Sequence, residues 1–354
     1  MTRIKDVIDK ISPLPREVFI KAQERLDNLI KPRGSLGKME EVAKRIAAIK
    51  GKLNPCLKRK VIFVFAGDHG IAKEGVSTYP QEVTYQMVCN FLRGGAGINV
   101  LAKHVGAEVI VVDMGVIRDI DPSSGIKIKK IGKGTRNFLK EEAMSREQAI
   151  QSIEAGMEVF EEEYKKVPID IVGMGDMGIA NTTPSSAILA AITGRDPQEV
   201  TGRGTGVNGK IWQKKVKIIR EALNFHHPDP EDPVDVLAKI GGYEIGGIAG
   251  CILAAAASKV PAVIDGFIST AGALIARQLC PHVVEYVFAS HLSAEKGHIL
   301  ALDYLDLSPL LDLNMRLGEG TGAALAISII EASAKILREM ATFENAGVSR
   351  EKTR

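Results

Sequence analysis

Lys60-Val61-Ile62-Phe63-Val64-Phe65-Ala66-Gly67-Asp68-His69-Gly70 decides the fold: an apolar run of strand length that empties into a glycine-rich polar loop. A strand with no polar alternation is apolar on both faces. It belongs in a sheet covered on both sides, and covered sheets are parallel ones. The pattern recurs. Val109-Ile110-Val111-Val112 is entered from Gly106-Ala107-Glu108 and closed by Asp113, and further apolar strands are predicted over 169–172, 262–264 and 283–289. Helical patterns separate most of them. The alternation predicts an α/β fold, a Rossmann-like, mostly parallel sheet flanked by helices.

Outward from that body the ends read as helices. Residues 15–30 and 36–49 carry apolar stripes, and Lys31-Pro32-Arg33-Gly34-Ser35 between them reads as a helix stop followed by Ser35 as the next N-cap. Residues 323–340 form a long amphipathic pattern, and 344–354 a charged tail. The expectation is a small helical domain, 1–52 plus 323–354, beside a large α/β domain, 53–322, that carries the active site. The bulk numbers agree with a globular enzyme. The 354 residues are 45% apolar and 25% charged, and 46 basic against 43 acidic residues leave a net charge of +3. That balance argues against a nucleic-acid partner. Cys56, Cys89, Cys251 and Cys280 are scattered without a CxxC pair, as reduced core cysteines would be. The N-terminus has no signal-peptide pattern, and the apolar stretch 245–258 is too short to span a bilayer. A cytoplasmic location and no membrane partner are therefore expected.

Ligands of parallel sheets bind at the carboxyl ends of the strands. Here those ends read Phe65-Ala66-Gly67-Asp68-His69-Gly70, Val172-Gly173-Met174-Gly175-Asp176-Met177-Gly178, Ile264-Asp265-Gly266-Phe267 and Ala289-Ser290-His291-Leu292-Ser293. The second matches the GxGxxG dinucleotide fingerprint by letter. Asp176 would set a negative charge beside a pyrophosphate, and no strand ending in an acid follows about twenty residues on, so a nicotinamide-dinucleotide oxidoreductase is disfavoured. Asn181-Thr182-Thr183-Pro184 reads either as the N-terminus of a helix that holds one phosphate or as a plain capped helix. There is no Walker A sequence and no paired-acid ribose-phosphate loop, so magnesium-diphosphate chemistry is not favoured. Asp68-His69 reads as structural more readily than catalytic. His226-His227-Pro228 opens a turn cluster. His291, Glu295 and His298 are close in sequence but do not place a metal, and no metal or cofactor is expected. Leu317-Gly318-Glu319-Gly320-Thr321-Gly322 puts one acid between glycines just before a helix. Glu319 is either a helix-start decoration or the base of an active site.

These blocks, with Lys31-Pro32-Arg33-Gly34-Ser35-Leu36-Gly37, Glu74-Gly75-Val76-Ser77, Gly202-Arg203-Gly204-Thr205-Gly206 and Gly241-Gly242-Tyr243-Glu244-Ile245, stand in an order that resembles the nicotinate-nucleotide–dimethylbenzimidazole phosphoribosyltransferase family over nearly the whole chain. The resemblance implies transfer of the phosphoribosyl group of nicotinate mononucleotide to dimethylbenzimidazole, with inversion at the anomeric carbon. Products are α-ribazole 5′-phosphate and nicotinate, in cobalamin nucleotide-loop synthesis. It implies Glu319 as general base. Asp176, Gly178, Gly204, Lys215, Gly266 and Ser293 would hold the nucleotide, Asp176 standing where relatives carry Glu. Ser77, Tyr79, Pro80, Gln86, Met177 and Leu317 would form the flat slot for the base. It also implies a homodimer, with Ser293 reaching the phosphate from the partner subunit. A non-catalytic nucleotide-binding protein on the same scaffold is the reading that would keep the glycine loops and not need Glu319.

Overall fold

The computed structural model describes residues 2–204 and 206–349; Thr205 of the Gly202–Gly206 loop and residues 350–354 of the charged tail lie outside the described residues. Strands β1 (Lys60–Gly67), β2 (Ala107–Gly115), β3 (Lys127–Ile128), β4 (Ile171–Met177), β5 (Ala262–Ile264) and β6 (Val287–Ala289) form one sheet. Their order is β3-β2-β1-β4-β5-β6, and every neighbouring pair is parallel. This is the doubly wound order, in which the direction of strand addition across the sheet reverses between β1 and β4. From Val61 to Ala66 the central strand is fully buried, as its unbroken apolar run requires.

Successive β1 residues point to opposite faces, and each face meets its own helix. Phe65 and Met114 of β2 lie against Gly247 in the buried helix Tyr243–Ala257. Ile62, with Gly173 of β4, lies against Ala323 and Ile327 in helix Thr321–Glu339. That last helix bridges two apolar clusters. Its first half joins the main core, while Leu337 closes a smaller cluster with Ala22 and Leu26 of helix Arg16–Asn28, Leu29 just after it, and Ala43 and Ala47 of helix Lys38–Lys50. The apolar stretch 245–258 is indeed a buried helix, which packs on the sheet.

Two local expectations are corrected. Only the end of the run 283–289 is strand: Pro281–Tyr286 is a 3-10 helix, and β6 starts at Val287. Proline at the first position of that turn, with φ preset and no N–H to lose, favours a helical start. Ser35 does not cap a helix either. Helix Lys38–Lys50 begins after Gly37, which has no side-chain cap. Instead Glu40 reaches back, its Oε1 accepting the Leu36 N–H at 3.0 Å and lying 2.8 Å from Lys31 Nζ. Both Lys31 and Glu40 are buried.

Removing one partner of a buried ion pair strands the other charge. Glu40→Ala is expected to destabilise the protein by about 3–5 kcal/mol in urea unfolding, and adding Lys31→Met should restore most of the loss. A double variant no more stable than the single one would show that the pair does not hold this helix start.

Candidate active site

The carboxyl ends of β4, β5 and β6 open into a cleft of about 130 Å³. Asp176, Met177 and Gly178 come from β4 and its loop, Gly266 follows β5, His291 and Ser293 follow β6, and Arg316 to Gly318 close the far side. A larger chamber of about 530 Å³ shares Gly204, Glu295 and Arg316 with it and adds Trp212 and Lys296.

Glu319 sits in an unusual stretch of backbone. Gly318, Glu319 and Gly320 have φ of 81°, 64° and 90°. A non-glycine residue there costs roughly 1–2 kcal/mol, so something must hold it. Asp265, at the end of β5, does so. Its Oδ1 accepts the N–H groups of Gly322 (2.6 Å) and Ala323 (3.1 Å), and its Oδ2 accepts that of Gly320 (3.1 Å). Asp265 is thus the anion at the start of helix Thr321–Glu339, in the place where the helix dipole favours one. Burial pushes its carboxyl up to about 7, with the three N–H groups pulling it down.

The Glu319 side chain is therefore not the cap of its own helix. Its Oε2 accepts the Ile98 N–H at 3.1 Å, at the start of a different helix, Gly97–Val105. Glu319 is 5% exposed. Burial pushes its carboxyl above the ordinary range, and the Ile98 N–H opposes this. It does not itself line the 130 Å³ cleft. Leu317 links the two places: it lines the cleft and lies beside Gly97, where the Glu319 carboxylate also is.

The GxGxxG letters have a packing explanation. A Cβ on Gly175 would collide with the Glu319 carbonyl, and Gly173 faces Ala323 and Ile327. These glycines let the Glu319 loop and its helix lie directly on β4. Asp176, between them and Gly178, is buried. Its Oδ2 accepts from Asn181 Nδ2 at 2.9 Å and its Oδ1 has no partner among the described residues. Burial, then the nearby Asp265 and Glu244, push its carboxyl well above the usual value.

On the other side of the cleft the groups suit an anion. Lys215, 1% exposed, comes from helix Gly209–His226 and donates from Nζ to Thr182 Oγ1 at 2.8 Å. Gly204 lies against both. Burial lowers Lys215 to about 8, with Glu295 opposing. Helices Thr182–Thr193 and Phe267–Leu279 both start at the cleft, the second with Gly266 as its N-cap, so two helix N-termini converge there. Ser293 lines the cleft, its N–H donating to His298 Nδ1 at 2.8 Å. His298 also pairs with Thr270 Oγ1 and is pushed down to about 3 by burial, so it stays neutral. His291, Glu295 and His298 form no metal-holding cluster among the described residues.

The six residues expected at the base slot divide. Met177 and Leu317 line the cleft, and Leu317 is 60% exposed. Ser77, Tyr79, Pro80 and Gln86 do not line it. They belong to the segment before and into helix Val83–Arg93, with Tyr79 56% exposed. That segment is fastened nearby, through Gln81 Nε2 to the His69 carbonyl at 3.0 Å and the Ile179 N–H to Thr84 Oγ1 at 3.1 Å. His69 itself is buried with its Nε2 2.7 Å from Glu244 Oε1. Asp265 as the anchor of the Glu319 loop, Arg316 and Trp212 were not singled out from sequence. The only signal for Asp265 was an acid at a strand end followed by glycine.

A phosphoribosyltransferase family matches residues 11–348 of the chain. The nicotinate-nucleotide–dimethylbenzimidazole phosphoribosyltransferase of Geobacter sp. (strain M21) is 57% identical over 349 residues, 99% of this chain and 100% of that protein. The protein of the same name from Citrifermentans bemidjiense is 56% identical over 349 residues, 99% of each chain. The crystal structure of CobT from Thermus thermophilus superposes with a TM-score of 0.92 at 45% identity, covering 95% of this chain and 100% of that one.

Asp265→Asn keeps the shape but turns one acceptor into an NH₂ that faces backbone N–H groups. The expected cost is about 1–3 kcal/mol in denaturant unfolding. An unchanged midpoint would mean that the helix start holds without this carboxylate.

Proposed function

The chain belongs to this phosphoribosyltransferase family, and we propose that Glu319 is the general base of its reaction. The enzyme transfers the phosphoribosyl group of nicotinate mononucleotide to dimethylbenzimidazole, a step of cobalamin biosynthesis. The observation that carries the base assignment is that Asp265 already serves the helix start, which leaves the Glu319 carboxylate with one N–H donor among the described residues.

The pyridine of nicotinate mononucleotide is already a cation, so it departs without being protonated. What the transfer needs is a base for the N–H proton of the incoming benzimidazole and alignment of the two rings. A carboxylate raised by burial suits that task, because its proton affinity lies closer to neutral pH. The azole attacks from the face opposite the departing pyridine, so the anomeric carbon inverts and the product is α-ribazole 5′-phosphate. The 5′-phosphate sits among Gly178, Gly204, Gly266, Ser293 and Lys215, where two helix starts and a buried ammonium converge. Asp176 lies beneath the Gly318–Glu319 turn and faces the sugar. The flat base lies between Met177, Leu317 and the Ser77, Tyr79, Pro80 and Gln86 segment, near Glu319.

The working unit is a homodimer in the cytoplasm. Tyr79 and Leu317 expose apolar surface by the slot, which a second subunit would cover. No helix among the described residues is long and apolar enough to cross a membrane.

Glu319→Gln, folded by circular dichroism, is expected to lose about 10²- to 10⁴-fold in kcat. Turnover near wild type would remove Glu319 as the base. The pH dependence has a definite sign. Lys215 must be charged to hold a phosphate and its free-protein value is about 8. The KM for nicotinate mononucleotide should therefore rise above that pH, by up to about tenfold per unit, and Lys215→Met should abolish the rise. A KM flat to about pH 10 in the wild type would place the phosphate elsewhere, because a lysine lowered by burial is neutral there.

A further inference from the structure

We propose that the Arg316 guanidinium receives the carboxylate on the nucleotide's pyridine ring and thereby separates nicotinate from nicotinamide nucleotides. The proposal rests on the transferase reading above.

Arg316 stands where the cleft and the larger chamber meet and lines both. Its guanidinium has no hydrogen-bond or ion-pair partner among the described residues. Two other cations nearby are engaged: Lys215 on Thr182 Oγ1, and Lys296 on the Gln198 carbonyl at 2.9 Å. The backbone under Arg316 is held on both sides. Ala294 N–H donates to the Met315 carbonyl at 3.0 Å, and Thr321 N–H to that of Gly318 at 3.1 Å. Its head is thus a free, planar pair of donors on a fixed stem, the geometry that matches a carboxylate.

The surroundings call for such a group. Asp176 and Glu295 line the cleft and Glu319 lies behind Leu317, so a ring that carries a carboxylate meets acids on several sides. Burial raises the Glu295 carboxyl, and the charges of Lys215 and Arg316 oppose it, so Arg316 is within electrostatic reach of the cleft. Trp212 offers a flat wall in the same chamber, its Nε1 fixed to the Thr201 carbonyl at 2.9 Å. An aromatic carboxylate fits an indole face beside a guanidinium.

The reaction gives this contact a role beyond recognition. Before transfer the pyridinium and its carboxylate sum to zero charge. When the bond from the anomeric carbon to the pyridine nitrogen breaks, its electron pair goes to that nitrogen. Free nicotinate then carries a single net negative charge. The new bond forms from the azole lone pair, and the azole N–H proton goes to Glu319. A cation at the carboxylate is worth more as the ring loses its positive charge, so Arg316 favours departure as well as binding. Nicotinamide leaves neutral and gains nothing from it.

The test compares wild type, Arg316→Gln, Arg316→Lys and Arg203→Gln. Arg203 is another cation lining the chamber and serves as control. Readouts are kcat/KM for nicotinate and nicotinamide mononucleotides with dimethylbenzimidazole, and calorimetric binding of free nicotinate and nicotinamide. Arg316→Gln is expected to lose on the order of 10- to 100-fold on nicotinate mononucleotide. The preference over nicotinamide mononucleotide collapses, Arg316→Lys falls between, and Arg203→Gln keeps the preference. The proposal is overturned if Arg316→Gln lowers both nucleotides alike or neither, if the preference follows Arg203, or if the wild type does not discriminate. A wild type that binds nicotinate over nicotinamide through Arg316 yet transfers nothing would overturn the transferase reading and leave the carboxylate site standing.

Discussion

One carboxylate organises the sheet edge that carries the cleft. Asp265 accepts three backbone N–H groups from the start of helix Thr321–Glu339, tying the end of β5 to the last long helix of the chain. That tie holds Glu319 in a left-handed conformation its side chain disfavours, and it sets Leu317 and Arg316 along the cleft. Gly175 completes the arrangement by giving the Glu319 carbonyl room against β4. Remove the carboxylate, and the strain of the turn has nothing obvious to oppose it.

The same edge concentrates buried acids. Asp176, Glu244, Asp265 and Glu319 are each close to fully buried. Each meets a different compensation: the Asn181 amide, the His69 imidazole, three helix N–H groups and the Ile98 N–H. On the opposite wall Lys215 is a buried ammonium with one hydroxyl partner, so an anionic ligand relieves a cost already present in the free protein. Cation and helix N-termini thus lie on one side of the cleft, while the Glu319 carboxylate stands outside it, behind Leu317.

Much of the architecture was legible from sequence because short, unbroken apolar runs that end in glycine-rich loops have the length and flanks of strands buried on two faces. The run from Lys60 and the run at Val109 both proved to be strands of a parallel sheet. Misreadings came where a local residue had a competitor. Val283 and Val284 look like strand, but Pro281 turns them into a 3-10 helix. Ser35 looks like a cap, but Glu40 takes the role through a contact closed by Lys31. The GxGxxG letters, disfavoured as a dinucleotide loop because of Asp176, have their own reason: the first two glycines clear space for another part of the chain.

By itself the sequence determined the parallel α/β body, the position of its loops at one sheet edge, and the family. Each depends on short-range pattern: apolar runs, glycine after strand, and blocks in order. Only the tertiary structure decided what each acid is for. Asp265 and Glu319 are 54 positions apart in the chain, and nothing local to either says that one secures the helix and the other turns to Ile98. Hydrogen-bond partners supplied by other elements make that assignment, and they exist only once β5, the Gly97–Val105 helix and the C-terminal helix have been brought together by the packing of the core.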